Sequence, residues 1–516
     1  MTTNVTLLGG SGMLGFETFE VLWSRRGDLR LKLLLRPRPE TRARFAPYQA
    51  QAEPSELEVV WGDATDYADM RAAISGADYV LDAMALISPV ADYNPERSRE
   101  VNTVGIANVV RAIGEEPDGN ARIKLAYTGT VAMTGERQPP VHWGRVGDPL
   151  KPSLFDYYAV TKIAGERLVL ESDIERWVSL RVTGIMPGEY KGFFDRPDPL
   201  AFHMPLGACL ENVTSKDAAV GLANVIGIGD ESDFWRGIYN LGGGPGMRAR
   251  ALEFLTAGYG AFGIEDIRKA SERAWFATTN FHMQYFVDSG VLNDHLDFWD
   301  DTTESWIARV AGSFPPHLKL VRWLARRVPA VRRVVEKQAY ESNRKLLETH
   351  RNGTLHWRNH GNTKRLDAFY GGVEAFDAVP GWDEPIPAAP DPDGEPLLLD
   401  HGYDETKSRL DLGDLRGAAE FRGGRCLAEA WDGDMFTPLA WACAFGHDFE
   451  ARPNTVLKGG HWCTRCEPPD WDYKRVAARN PFLNQVVEPF AHLLPDEPVT
   501  MADLDDIRGA DKDELG

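Results

Sequence analysis

The sequence predicts an α/β fold whose first half is a doubly wound parallel sheet, and two observations carry that expectation. Short apolar runs at 5–8, 31–35, 57–61, 78–84 and 123–128 alternate with stretches of helical period. Continuous apolar runs, rather than runs alternating with polar residues, mark strands covered on both faces, which is the habit of parallel sheets. Between the first run and the first helical stretch stands Gly9-Gly10-Ser11-Gly12-Met13-Leu14-Gly15.

That loop carries the first chemistry. A phosphate approaches the backbone only where no Cβ intervenes, and the helix that follows offers unpaired N–H groups and a positive dipole end. The glycines satisfy two spacings at once: Gly10, Gly12 and Gly15 as G-x-G-x-x-G, and Gly9, Gly12 and Gly15 as G-x-x-G-x-x-G. Placed between a strand and a helix, either spacing predicts a Rossmann-type dinucleotide site with Gly9 to Gly15 around the pyrophosphate. An acidic residue about 20 positions further on normally holds the ribose 2′-hydroxyl. After the second run this chain has Arg36-Pro37-Arg38 instead. A guanidinium pairs bidentately with a 2′-phosphate, so Arg36 favours NADP, with NAD as the alternative.

The second constellation is Tyr158-Ala159-Val160-Thr161-Lys162. Residues i and i+4 share a helix face, so the phenol and the ammonium sit together. A neighbouring cation lowers a phenol's pKa and makes proton exchange with a carbonyl or alcohol oxygen feasible. Y-x-x-x-K alone is a common helix face; behind the glycine loop it reads as a catalytic pair.

With these motifs in order, residues 1–250 resemble the extended short-chain dehydrogenases/reductases, the NAD(P)-dependent epimerase/dehydratase group. Further matches support the resemblance. Gly62-Asp63, followed by Ala64, lies at the family's adenine-binding acid, and Asp82-Ala83-Met84-Ala85 lies where the strand-four motif lines the cofactor. Val101-Asn102-Thr103-Val104-Gly105 matches the helix bearing the family's asparagine. Counting back from Gly135 sets Thr130 at the catalytic hydroxyl, with Thr128 as runner-up, because Gly129 interrupts the family's consecutive serines. The resemblance implies that Tyr158 acts as general acid or base, that Lys162 tunes it and grips the nicotinamide ribose, and that Thr130 holds the reacting oxygen, with Asn102 in the same group. It implies Gly9–Gly15, Asp63, Ala64, Ala83 and Met84 as cofactor contacts, and a small substrate-binding part over 187–250. It does not separate net reductases from epimerases and dehydratases that keep their cofactor.

The chain has 57 basic and 77 acidic residues, a net charge of −20. Such a surface repels phosphate backbones, so nucleic acid is not an expected partner. Residues 391–516 hold 26 acidic and 13 basic side chains, so most of the charge lies in the last quarter. No run approaches the roughly 20 apolar residues of a bilayer span. Five cysteines are too few for a disulfide scaffold, which points to a reducing, cytoplasmic setting. Lys512-Asp513-Glu514-Leu515 has the form of a retention signal, but Gly516 follows it, so it is read as coincidence.

Beyond residue 250 the chain departs from the family. Residues 251–376 read as largely helical. Within them, 317–337 form a basic amphipathic stretch, broken at Pro329, of the kind that lies on an anionic membrane or binds an acidic ligand. The acidic last quarter makes intramolecular docking the first expectation. His350, His356 and His360 lack acidic or cysteine partners at useful spacing and read as ordinary histidines. A Pro-rich linker is expected at 377–397 and an acidic module at 398–516.

In that module Cys443-Ala444-Phe445-Gly446-His447 precedes Cys463-Thr464-Arg465-Cys466 by 16 residues, counted histidine to first cysteine. Cys443, His447, Cys463 and Cys466 resemble the ligand set of a zinc-ribbon-like module. Four ligands leave no open position, so the expected role of Zn2+ is structural. Cys426 or His461 is an alternative to His447, and Cys209 reads as core. A small molecule is the expected substrate, homo-oligomerisation is an open option, and the module is expected to cap the active-site cleft or mediate assembly. The expected reaction is hydride transfer at a secondary alcohol or carbonyl. The alternatives are a nucleotide-sugar epimerase or dehydratase with retained cofactor, and a cofactor-sensing interaction protein.

Overall fold

The computed structural model describes residues 2–53, 55–190, 197–386, 391–392, 394–466 and 470–512. Seven strands form the main sheet: β1 Thr3–Leu8, β2 Leu29–Leu35, β3 Leu57–Trp61, β4 Tyr79–Asp82, β5 Lys124–Thr130, β6 Arg176–Val182 and β7 Gly237–Leu241. Their order is β7-β6-β5-β4-β1-β2-β3, and every neighbouring pair is parallel. This is the doubly wound arrangement that the apolar runs predict, with the order reversing at β1 and β4. β4 ends two residues earlier than its apolar run, whereas β5 runs two further, because Thr128, Gly129 and Thr130 stay paired with β6.

Both faces of the sheet are buried. Leu7, Leu31 and Leu33 point into one core with Phe19 and Leu22 of helix α1 (Met13–Ser24). Leu8, Leu34 and Val80 point into the other with Ile106 and Val109. Period-two alternation of side chains sends neighbouring leucines to opposite cores, so each strand must be apolar throughout. Helix α2 (Tyr157–Leu170) packs on the second face and is capped by Asp156, which accepts from the Ala159 N–H.

Three short strands, Gly184–Met186, Cys209–Thr214 and Arg248–Arg250, make a second small sheet in the expected substrate part. After it come helices α3 (Ala251–Ala261), α4 (Thr303–Gly312), α5 (Pro316–Arg327) and α6 (Pro329–Thr349). Pro329 does break the basic stretch: α5 stops at Arg327 and the proline opens α6, where its missing N–H costs nothing. The region from 398 onward contributes to two cores. One surrounds the antiparallel strands Arg425–Cys426, Leu439–Ala442 and Asp448–Ala451. In the other, Trp471, Phe490 and Ile507 pack with Trp357 and Phe369 and with Phe155 and Tyr157 beside the start of α2.

The expected docking of the basic stretch on the acidic last quarter is not what the fold does. Among the described residues its ion pairs run from Arg332 to Glu265 and from Lys337 to Glu341. The acidic tail instead pairs Asp503 and Asp506 with Lys364 and Arg365, which lie closer to it in the second core. Parts of the expected specificity loops (191–196), of the linker (387–390 and 393) and of the Lys512–Leu515 motif (513–515) lie outside the described residues.

Candidate functional site

The site forms at the carboxyl ends of β1, β4 and β5. Gly9 sits at φ +76°, and a Cβ there would stand 2.6 Å from the Ala83 carbonyl oxygen. A Cβ on Gly15 would stand 2.2 Å from the Gly9 oxygen, whereas one on Gly10 would make only ordinary contacts with leucine side chains. The steric demand therefore falls on Gly9 and Gly15, whereas a Cβ on Gly12 would come no closer than 3.4 Å to its neighbours. Gly12 caps α1 without a side-chain hydrogen bond. Ser11, Met13 and Leu14 complete a turn whose first helical N–H groups remain available to an anion.

At the end of β2 no ion pair among the described residues engages the Arg36 guanidinium. Burial first, then repulsion from Arg38, lowers its pKa, with Asp63 acting the other way. Asp63 is bound differently from an open adenine acceptor. Its carboxylate pairs with Arg97 at 2.6 Å and accepts from the Thr65 hydroxyl. Burial raises its pKa, but hydrogen bonds from Thr65 and Arg97 outweigh that and hold it below the usual carboxylate range. Ala64 turns its carbonyl to Asn108, and the Met84 N–H donates to Asp82.

Tyr158 stands in the first turn of α2 near Thr130 at the end of β5, whose hydroxyl acts to lower the phenol's pKa. Thr128, the other candidate hydroxyl, instead donates to the Asp82 carbonyl at 2.8 Å and ties β5 to β4. The Lys162 ammonium is fully buried, donates to the Thr128 carbonyl at 2.6 Å and lies 4.2 Å from the centre of the Tyr127 ring. Burial lowers its pKa to about 8, with Asp82 and Glu166 opposing. One correction follows for Tyr158. Its pKa is raised, by burial first and then by Asp156 and Asp92, and the Thr130 hydroxyl only partly offsets this. The phenol is held as a proton donor, because Lys162 spends its charge on Thr128, Tyr127 and Asp82.

Asn102 occupies a π-helical turn, Glu100–Val104. Its side chain clamps both the N–H and the C=O of Leu86 and donates to Thr161 on α2 at 3.0 Å. It joins the loop after β4 to the helix bearing Tyr158 and Lys162, so it is a positioning residue.

Three carboxylates were given no role by the motifs, although Asp82 opens the strand-four motif. Asp82 is fully buried; one oxygen accepts from Met84 and the other has no hydrogen-bond partner. Burial raises its pKa to about 6 against the pull of Lys162. Asp92 accepts from the backbone N–H groups of Tyr157 and Tyr158, and burial followed by repulsion from Asp156 raises it to about 7. Asp156 faces His282 at 3.1 Å. An acid closing an apolar strand was the one available signal for Asp82; Asp92 and His282 reach the site only through tertiary folding.

A second cluster lies in the last quarter. Cys443, His447, Cys463 and Cys466 bring their ligand atoms within 4.8 Å of one another. Cys443 Sγ and Cys466 Sγ are 3.7 Å apart, and His447 Nδ1 lies 3.6 and 3.4 Å from the sulfurs of Cys463 and Cys466. Tetrahedral zinc with thiolate bonds near 2.3 Å sets sulfurs about 3.8 Å apart and sulfur to histidine nitrogen about 3.6 Å. The donor set and spacing fit that ion. Gly446, at φ +77°, makes the turn that swings His447 beside Cys443. Cys426 and His461 are outside the cluster, Cys209 packs with Trp143 and Tyr285, and His356 and His360 stack on each other.

The cluster's surroundings dock on the far half of α2, where Arg452 pairs with Asp173 and Arg167 donates to the Trp462 carbonyl. Arg167 is about 13–14 Å along the helix from Tyr158 at 1.5 Å per residue, and Asp173 lies just past its end. The expected cap over the cleft is not formed by these contacts.

Residues 5–203 match the NAD dependent epimerase/dehydratase family. The chain is 25% identical over 167 residues to mouse 3 beta-hydroxysteroid dehydrogenase type 7 and 27% identical over 172 residues to the human protein. Each match takes in 32% of this chain and 43% of the relative, so the chain spans less than half the length of the curated proteins it matches. Among solved structures it is similar to UDP-glucuronic acid 4-epimerase from Bacillus cereus in complex with UDP-glucuronic acid and NAD. That match is 14% identical and covers 62% of this chain and 100% of the other, with a TM-score of 0.47. dTDP-glucose 4,6-dehydratase from Bacillus anthracis in complex with NAD is 12% identical and covers 60% and 96%, with a TM-score of 0.46. Among the described residues no helix is long and apolar enough to cross a membrane.

Proposed function

We propose that the chain is an NADP-preferring oxidoreductase that transfers hydride at a secondary alcohol or carbonyl carbon. The observation that carries this reading is the Lys162–Thr128 hydrogen bond, which sets the helix bearing Tyr158 against the carboxyl end of β5 where Thr130 stands, beside a glycine turn built for a pyrophosphate. When bound, the dinucleotide supplies or accepts the hydride. Tyr158, held protonated, donates to the substrate oxygen in the reducing direction. Thr130 orients that oxygen and the phenol together. Lys162 is already anchored on Thr128 and donates to the nicotinamide ribose. Arg36 takes the 2′-phosphate, and the start of α1 takes the pyrophosphate.

A second reading, an epimerase or dehydratase that keeps its cofactor, draws support from the family match over 5–203. Zinc at Cys443, His447, Cys463 and Cys466 is proposed as structural, since four protein ligands close the coordination shell.

Native mass spectrometry of the untreated chain tests these readings together. A chain with one zinc and no nucleotide, which then oxidises NADPH with added carbonyls, supports the reductase. A retained dinucleotide supports the second reading. A chain that binds neither NADP nor NAD overturns both.

A further inference from the structure

A cavity of 760 Å³ lies within the helical extension, walled by α3, α4, α5 and α6. Phe254, Phe262, Trp306, Val310, Phe314 and Leu318 line it, and most of its polar groups come from α6. One of these is already committed: Asn343 donates to the Tyr259 hydroxyl and to the Ala270 carbonyl, both at 2.9 Å. The volume is that of a small-molecule site, and an apolar hollow of this size is unfavourable whether empty or filled with water.

The mouth of the cavity opens on an unusual surface. Val321 and Val334 line the cavity and are also 39% and 68% exposed. Leu320 and Trp323, on the same α5–α6 hairpin, are 56% and 50% exposed. Residues 317–337 carry seven Lys or Arg and one Glu in a chain of net charge −20. Among the described residues Lys319, Arg322, Arg326, Arg327 and Arg333 have no carboxylate partner. An exposed apolar and aromatic stripe flanked by unneutralised cations matches an anionic bilayer surface, where the rings and aliphatic stems enter the interface and the cations meet lipid phosphates.

The inner end approaches the catalytic side. The turn Pro199–His203 separates the cavity from a small pocket beside the start of α2. Ala201 and Met204 face the cavity, whereas Leu200 and His203 face the pocket that holds Asp92 and Asp156. Trp306 in the cavity wall donates to the Pro187 carbonyl at 2.9 Å, tying the extension to the loop after the Gly184–Met186 strand.

We propose that this cavity holds the hydrocarbon part of a lipid-type substrate, a single flexible chain drawn from an anionic membrane on which the α5–α6 hairpin rests. The polar end of that substrate is presented across the Pro199–His203 turn. Calling the ligand the substrate rests on the hydride-transfer reading; its binding does not.

The test uses the full chain and two probes: cis-parinaric acid, a fluorescent fatty acid, and vesicles of phosphatidylcholine with or without phosphatidylglycerol. Gly258 lines the cavity, and a Cβ built there meets nothing within 4 Å. Gly258→Phe therefore fills the space without backbone strain and adds helix propensity. The expected results are saturable binding of about one parinaric acid per chain, weakened at least about tenfold by Gly258→Phe with no fall in Tm. The chain floats with vesicles containing phosphatidylglycerol and not with pure phosphatidylcholine. Arg326→Glu/Arg327→Glu/Arg333→Glu abolishes flotation and leaves parinaric acid binding intact. Absence of saturable probe binding, equal binding by Gly258→Phe, or flotation that does not depend on phosphatidylglycerol overturns the proposal. NADPH binding, measured in parallel, is expected to be unchanged in every variant. Its absence from the wild type strikes the cofactor reading alone and leaves the probe results to decide the cavity.

Discussion

His461 Nε2 lies 3.0 Å from Glu166 Oε2, with both side chains fully buried, one turn beyond Lys162 on α2. Arg181 from β6 grips the same carboxylate through two nitrogens, at 2.9 and 2.7 Å, and also donates to the Gly459 carbonyl. Burial alone would raise the Glu166 pKa, but the Arg181 charge and the hydrogen bonds from His461 and Arg181 hold it far below the usual range. The cysteine-bearing region thus reaches α2 through a histidine inside a buried charge cluster, besides the Arg167 and Arg452 contacts.

Removing that histidine leaves a buried carboxylate short of a donor. His461→Ala is expected to lower unfolding free energy by about 2–3 kcal/mol, the value of a hydrogen bond to a charged group. Urea unfolding measures this; a loss under about 0.5 kcal/mol would show that Arg181 and the Ser179 hydroxyl suffice for Glu166.

Tyr158→Phe removes the proton donor and keeps the ring. Turnover is expected to fall by about 10²–10⁴ while NADPH affinity is retained. Thr130→Val is expected to cost less and to be non-additive with it, because both groups act on one substrate oxygen. Steady-state kinetics with a cofactor titration separate the effects, and full additivity would argue against a shared site.

Lys162 titrates near pH 8 because burial disfavours its charge. The ammonium is present below that value and lost above it, so NADPH affinity is expected to fall as pH rises through about 8. Asp82 raises the Lys162 pKa, so Asp82→Asn moves the fall to lower pH and Lys162→Met removes it. Dissociation constants from NADPH fluorescence on both sides of that pH check this, and a flat wild-type profile would contradict it.

Cofactor choice is expected to follow Arg36. A bidentate guanidinium–phosphate pair is worth about 1.5–3 kcal/mol, so Arg36→Ala should weaken NADPH by roughly 10–100-fold and leave NADH nearly unchanged. Equal losses for both would place the 2′-phosphate elsewhere.

Chelation is expected to release one zinc per chain, and Cys466→Ser to abolish its binding. Because the same region supplies His461, Cys466→Ser combined with His461→Ala should destabilise by less than the sum of the two. Atomic absorption and thermal unfolding report on both, and an unaltered Tm on metal loss would separate the cluster from the fold.

The sheet was legible in the chain because parallel strands buried on both faces leave a local mark: continuous apolar runs, a glycine turn and a helix face with Tyr158 and Lys162 four apart. The zinc-like set was legible for the same reason, since two short turns place its ligands near each other in sequence. What no local pattern carries is which groups meet across sequence. The chain already put Thr130 ahead of Thr128 by its distance from Gly135; the fold adds that the Thr128 hydroxyl is spent on the Asp82 carbonyl. It raised the Tyr158 pKa, first by burial and then by bringing Asp156 and Asp92 to the start of its helix. It paired Arg332 and Lys337 of the basic hairpin with Glu265 and Glu341 rather than with the acidic tail, to which charge complementarity alone had assigned them, while Asp503 and Asp506 of that tail meet Lys364 and Arg365. Periodicity records how each segment is buried; the partner inside that burial depends on contacts between residues far apart in the chain, 295 positions for Glu166 and His461.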